Sequence, residues 1–424
     1  MLREERFFLN HSAAICLGLA LPAVVLGSAI LYLLLGLGLI LGLLATKGRS
    51  LRSTANMLLD SRIFWLCVVW LGVLYISAWQ GINPAYSIEK AHQTLLLGIG
   101  SLLLFSVLRE MPTRFVNIGL QSMLSGTLFL MLLAVIDAFA DSVRFSTVLH
   151  GFDMAETPYR LNYYSSVFAL ALPFLWAFLY RNLQNREGIA RLTTPFLLIT
   201  TTMAVIICGG RAGWVALIAG MIIFILGAQR THGFRVKFSH VVYGVLTYVA
   251  GVLAYGLAHG LTFLAQRLEL EVVGRGLASG RFEIWDTALN AIPQYWLWGI
   301  GPNAFRFLDG PIDAHPHNAT LQIALETGLI GGICALAFLY LVLRLFVRYA
   351  RGNLYGLAGL TSFIVFLVAA QFNKSLFDAE WTSLLVILLL FGWRLGWSNQ
   401  PHGTRKENQI LPTSFFLNRD KPSS

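Results

Sequence analysis

His315 and His317 stand two residues apart in Asp313-Ala-His-Pro-His317-Asn-Ala-Thr-Leu-Gln322, at the mouth of a long apolar run. Histidine is the usual general base for a hydroxyl that must lose its proton near neutral pH. Three arginines have comparable addresses. Arg160 follows Pro158-Tyr159 at the start of an apolar run, Arg211 sits in the short turn Gly209-Gly-Arg-Ala-Gly213, and Arg281 opens Arg281-Phe-Glu-Ile-Trp285. A guanidinium is a fork that matches phosphate oxygens, so three of them brought together suit a pyrophosphate. Plainer readings stand beside these. An interfacial Arg can snorkel to a headgroup phosphate or pair with an acid such as Glu283 or Asp286, and a His ahead of a helix can simply cap it. Arg211 fits the anchor reading least, because its turn is too short to let it roam.

Asn318, Gln322 and Glu326 continue from the histidines at i+4 steps, which places them on one side of a helix. A carboxylate inside an apolar span needs a partner, and for Glu326 that is Gln322 or a neighbouring helix. Asp313, His315 and His317 at alternate positions could offer ligands to a metal. The segment lacks a helical i, i+4 pair and a second shell, so the expectation is no metal. Asp378, in a loop with Lys374 and Glu380, is the remaining supporting candidate. Cys16, Cys67, Cys208 and Cys334 all lie in apolar runs without CxxC spacing, and read as small packing residues.

The elements that must position these groups belong to a bilayer. Of 424 residues, 56% are hydrophobic and 12% charged, and the mean hydropathy is +0.67, which is integral-membrane composition. Apolar runs can be drawn at about 12–27, 28–46, 63–79, 91–108, 115–136, 161–180, 193–208, 212–228, 239–260, 317–343, 354–371 and 381–397, each near the roughly 20 residues that a ~30 Å core requires. The first two are one continuous stretch, split at Gly27-Ser28 because a single helix would overshoot the bilayer. With a cytoplasmic N-terminus, 22 of the 31 Lys and Arg fall on the inside and nine outside, as the positive-inside rule asks. The net charge of +10 is therefore topology, and nothing calls for a nucleic-acid partner. The N-terminal apolar run reads as a retained first helix rather than a cleaved signal.

The expected organisation is one polytopic membrane domain over 1–400, a large outer loop at 261–316 within it, and a polar cytoplasmic tail over 401–424. A second long outer loop covers 137–160. Long loops in compact proteins tend to be functional. Within 261–316, Phe282, Trp285, Ala288, Leu289 and Ile292 recur at helical spacing up to Pro293, which predicts an amphipathic helix on the outer interface, anchored by Trp285, Tyr295, Trp296 and Trp298. Arg160, Arg211, Arg281, His315 and His317 then share the outer face, where no cytoplasmic nucleotide pool reaches. A donor there would arrive membrane-bound and already activated.

Taken in order, Ser279-Gly-Arg-Phe-Glu-Ile-Trp285, Gly299-Ile-Gly-Pro-Asn-Ala-Phe305 and the run from His315 through Glu326-Thr-Gly-Leu-Ile-Gly331 resemble the signature region of the O-antigen ligase and polymerase superfamily of envelope glycosyltransferases. The Gly209-Gly-Arg-Ala-Gly-Trp214 turn is similar to that family's as well. The likeness of motif covers about residues 158–332, and Pro316, which stiffens the approach to His317, departs from the commonest form. The resemblance implies an all-α, glycosyltransferase C-like membrane fold of about twelve helices with a large periplasmic loop, in the bacterial inner membrane. It implies transfer of O-antigen polysaccharide from undecaprenyl pyrophosphate to a sugar hydroxyl of lipid A–core, with inversion and without metal or other cofactor. By motif, His317 would be the base, Arg211 and Arg281 the pyrophosphate holders and Arg160 a third contact, with His315, Asn318, Gln322, Glu326 and Asp378 in support. A repeat-unit polymerase or a protein O-oligosaccharyltransferase would use the same residues. A transporter of lipid-linked sugar is a different class, yet its ionisable residues would gather near mid-membrane rather than at one face.

Overall fold

A computed structural model describes residues 3–48, 61–139, 159–184, 188–208, 210–233, 281–308, 314–372 and 375–398, with isolated helical positions at 51, 54, 57, 59, 245–246 and 248–253. Its long helices, in chain order, are α1 (Arg3–Ala23), α2 (Ser28–Thr46), α3 (Arg62–Gln80), α4 (Pro84–Glu110), α5 (Thr113–Phe139) and α6 (Tyr159–Gln184). They continue as α7 (Gly188–Ile207), α8 (Arg211–His232), α9 (Arg281–Ala291), α10 (Ala319–Gly352), α11 (Leu354–Ala370) and α12 (Ala379–Ser398). No strand occurs among the described residues. Among the described residues, eight helices are long and apolar enough to cross a membrane: α2, α3, α4, α5, α6, α8, α10 and α12, while α7 and α11 carry shorter apolar stretches. The protein is an all-α, multi-pass membrane protein. Most of the expected run at 239–260 and all of 401–424 and 140–158 lie outside the described residues. The expected break between the first two runs is present: α1 ends at Ala23, and Gly27, at φ 139°, caps α2.

Short polar caps turn the chain between spans. Asn83 Oδ1 accepts from Tyr86 N ahead of α4, with Pro84 in the first turn, and Asn353 caps α11 in the same way. The bundle has two ends, one where α10 starts and one where it finishes. At the second, Arg6 Nε donates to Ala45 O at 2.9 Å, and Arg394 donates from Nε to Leu108 O and from Nη2 to Met111 O. At the first, Ile82 N donates to Ile300 O and Tyr164 OH to Val25 O. Helix α11 is the centre, packed on α6, α8, α10 and α12. Gly359 and Gly392 bring α11 and α12 backbone to backbone, and Phe366 stacks on the fully buried Trp381 at 5.1 Å.

Helix α10 corrects the expected span at 317–343. It runs 34 residues, roughly 50 Å at 1.5 Å per residue and too long for one crossing, but it is broken at Gly328 (φ 64°, ψ −166°). Ahead of the break, Gln322, Glu326 and Thr327 are buried in protein. Beyond it the exposed apolar side chains begin, with Leu329 at 52% and Leu336 at 67%. Leu329–Gly352 alone spans about 36 Å, enough for one crossing, and Ala319–Thr327 is a half-helix set off from it by the break. The sequence pattern overran because an isolated Gly inside an apolar helical run carries no strong stop signal.

Helix α9 is a second correction. The expected apolar face divides: Ala288, with Trp285 and Ile292, packs inward beside Ile284 and Ala291, whereas Phe282 and Leu289 stay exposed at 65% and 53%. The inward side shares a small core with Ile300, Ala304, Phe305 and Leu325 of the loop and half-helix. One side of the helix therefore packs on protein, while Phe282, Leu289 and, past the helix, Trp296 stay exposed.

Candidate functional site

The half-helix of α10 presents the histidines. Asn318 Oδ1 accepts from Leu321 N at 3.0 Å and caps the helix, which leaves His317 one residue outside it. His317 has φ 49°, a left-handed backbone that costs a non-Gly residue on the order of 1–3 kcal/mol and persists only where surroundings impose it. One imposing contact is visible: the Trp285 indole N–H donates to Pro316 O at 3.0 Å, pinning the peptide between the two histidines to α9. The rings of His315 and His317 lie 4.1 Å apart, tilted by 49°. Both are half-buried.

The break below them is filled by the Gly299-Ile-Gly-Pro-Asn303 loop. In an unbroken helix the carbonyls of Leu325 and Glu326 would accept from the amides four residues on. Here Leu325 O accepts from Ile300 N at 2.9 Å and Glu326 O from Gly301 N at 3.1 Å, while Leu329 N donates to Trp296 O and Ile330 N to Leu297 O. Loop and helix thus exchange backbone bonds on both sides of Gly328, so the orphaned groups are satisfied. The approach is tight enough that a Cβ on Gly299 would run into the backbone of Glu326–Thr327, and one on Gly328 into Leu297.

The supporting candidates turn out to hold the architecture. Glu326 is fully buried, and its Oε2 accepts from Asn303 N at 2.7 Å and from Gln322 Nε2 at 3.0 Å. Gln322 also donates to Ser375 Oγ at 2.7 Å and accepts from Leu376 N at 3.0 Å. Asp378 Oδ1 accepts from Glu380 N and Trp381 N and caps α12. Sequence reasoning missed Trp285 as a hydrogen-bond donor to the histidine loop, and also Ser77 and Asn303. Their partners are more than 20 residues away in every case, beyond any periodicity.

The arginines come from other helices. Arg281 is the first residue of α9, and its Nη2 donates to Phe372 O, just past α11, at 2.6 Å. Arg211 is the first residue of α8. The turn before it is tied down by Ser165 Oγ, 2.7 Å from Val205 O and 3.2 Å from Gly210 O, and by Trp214 Nε1 donating to Ile206 O. Gly220 of α8 meets Thr361 and Val365 of α11, and Gly227 meets Leu357. The two helices are therefore antiparallel, and following both to their ends brings Arg211 level with Gln371 and Phe372. Ser362 Oγ donates to Leu170 O of α6 at 2.8 Å. The same reckoning brings the backbone of Arg160, in the first turn of α6, to that level; its side chain lies outside the described residues. Thr320 of the half-helix bonds Gln371 at 3.2 Å. Since α6, α8 and α10 all pack directly on α11, their starts ring its end.

Imidazoles at the start of one helix and guanidiniums around the end of its neighbour can take a proton from a hydroxyl and hold an anion beside it. No group of three or more His, Cys, Asp or Glu suited to a metal ion occurs among the described residues. Residues 196–336 match the family model described as O-antigen ligase. That stretch holds Arg211, Arg281, His315, His317 and Glu326 and leaves Arg160 and Asp378 outside. No curated protein matches the chain.

Proposed function

From the premise that the chain belongs to the O-antigen ligase superfamily, we propose that it transfers polysaccharide from undecaprenyl pyrophosphate to a sugar hydroxyl of lipid A–core. The reaction takes place at the periplasmic face of the inner membrane, with both termini cytoplasmic. The excess of Lys and Arg in the opposite loops supports that orientation. His317 takes the proton of the acceptor hydroxyl as its oxygen attacks the anomeric carbon. The glycosyl–oxygen bond to the pyrophosphate breaks in the same displacement, so the configuration inverts and undecaprenyl pyrophosphate leaves. Charge grows on the leaving group as that bond opens. Arg211 and Arg281, with Arg160 as a third contact, stabilise it at the end of α11, where part of their surroundings is protein rather than water. His315, whose tilted ring lies against that of His317, supports it.

The observation that carries this reading is the left-handed His317 at the mouth of α10, on a peptide pinned by Trp285, level with the starts of α6 and α8 and with Arg281. The test is transfer in vitro from purified undecaprenyl-pyrophosphate glycan to lipid A–core, with chelator present, by wild type, His317→Ala and Arg211→Ala. Removal of a general base costs about 10²–10⁴-fold in rate, and that loss is expected for His317→Ala in a protein that still inserts. Full activity of His317→Ala sinks the mechanism. Product formed only when a second lipid-linked glycan replaces lipid A–core reassigns the chain to the polymerases.

A further inference from the structure

Taking a carboxylate out of water is costly unless donors or charges meet it, and Glu326 is wholly buried at the far end of the half-helix that begins beside His317. Its surroundings come from four remote stretches of chain. Asn303 N of the loop and Gln322 Nε2 of the same half-helix donate to Oε2. Ser375 and Leu376, ahead of α12, hold Gln322 in turn. Ser77 Oγ of α3 donates to Glu326 O at 2.6 Å. Asn303 is itself left-handed (φ 57°) and donates from Nδ2 to Tyr86 OH of α4. The break at Gly328 frees the half-helix from the axis of the membrane crossing, so these bonds, with the small apolar core under α9, decide where it sits. An apolar residue would fill the space at lower cost. Directed hydrogen bonds add one fixed register between half-helix, loop and turn.

We infer that Glu326 is a positioning residue: its carboxylate bolts Ala319–Thr327 to the Gly299–Asn303 loop and the Ser375–Leu376 turn, and thereby sets where the His317 imidazole stands. The inference rests on His317 being the base proposed above. Arg211 and Arg160 start helices outside these bonds, and Arg281, although α9 packs on the same loop, has its own bond to Phe372 O, so donor binding stays while the reacting geometry slips. A misplacement of about 1 Å costs about 100-fold in rate.

The experiment measures kcat and donor KM for Glu326→Ala, Gln322→Leu and Glu326→Gln, each also combined with His317→Ala, using purified undecaprenyl-pyrophosphate glycan and lipid A–core. Glu326→Ala is expected to lose about 100-fold in kcat with KM within about twofold of wild type. Gln322→Leu, which leaves the Asn303 donor in place, loses about tenfold, and Glu326→Gln, which keeps an acceptor oxygen for both donors, recovers most of the rate. In the His317→Ala background the Glu326 substitution costs nothing more, because a residue acting only through His317 has nothing left to position; a merely structural loss would cost the same factor in both backgrounds. Hydrogen exchange is expected to quicken over Ala319–Thr327 and Gly299–Asn303 and to stay unchanged over Leu329–Gly352. If Glu326→Ala does not fold, Gln322→Leu supplies the same split and exchange pattern. Equal losses in both backgrounds, or unaltered kcat and exchange in both Glu326→Ala and Gln322→Leu while His317→Ala is slowed as expected, overturn the positioning inference alone. A fully active His317→Ala overturns the base assignment, and this inference with it.

Discussion

The two parts of α10 are neighbours in sequence and opposites in how they are held. Leu329–Gly352 shows Leu329, Leu336 and Tyr340 to its surroundings and packs by dispersion against α11. Ala319–Thr327 shows little, buries Gln322 and Glu326, and is tied by directed bonds to the loop, to α3 and to the turn before α12. Apolar contact with lipid sets depth and leaves rotation and sliding soft, since lipid tails are as apolar as the side chains. A network of directed hydrogen bonds favours one arrangement, although Glu326 Oε1 and Asn303 Oδ1 are left without a hydrogen-bond partner in it among the described residues. The candidate site residues His315 and His317 stand just ahead of the directed part.

That contrast can be broken most severely at the break itself. Gly328→Ala puts a Cβ into Leu297 on a left-handed backbone and is expected to destabilise by roughly 3 kcal/mol or more, seen as a large fall in the thermal midpoint of the detergent-purified protein with transfer lost alongside. A fall confined to surface-substitution size would mean that the kink is dispensable. Ser77→Ala removes one hydrogen bond to a buried carbonyl that Gly301 N also serves, and should cost about 1 kcal/mol. Asp378→Ala removes the α12 cap and should cost a similar amount, about 1 kcal/mol, with kcat held. A large kcat effect at unchanged stability would return Asp378 to the chemistry. Leu336→Ala, on the lipid-facing part, is expected to change stability by no more than about 0.5 kcal/mol and transfer not at all; an effect as large as that of Ser77→Ala would dissolve the distinction between the two parts.

How far the chain could be read in advance follows the same division. Apolar length alone marked runs that overlap all eight helices long and apolar enough to cross a membrane among the described residues, and the break at Gly27, because hydrocarbon thickness acts locally on sequence. The i+4 spacing of Gln322 and Glu326 correctly paired them, as the 3.0 Å bond between their side chains shows. The bond from Asn303 and the exchange of backbone partners at Gly328 were illegible, since each joins stretches that no local period connects. Asn318 and Asp378 attracted notice as polar residues near a site, and both serve as helix caps, a role that residue type states and position alone does not. For α9, the 3.6-residue period identified a helix, yet two overlapping apolar faces fitted the pattern, and only Leu325, Ile300 and Phe305 decide which one turns inward.

The order of synthesis adds a constraint of its own. Ser77 is made 249 residues before Glu326, whereas Ser375 and Leu376 follow Gln322 by 53 and 54 residues. A nascent chain can insert Leu329–Gly352 as soon as that stretch emerges, but its half-helix has no complete set of partners until the start of α12 has left the ribosome. The half-helix is thus completed after the crossing it precedes, and a chain stopped before Ser375 would be inserted but unassembled there.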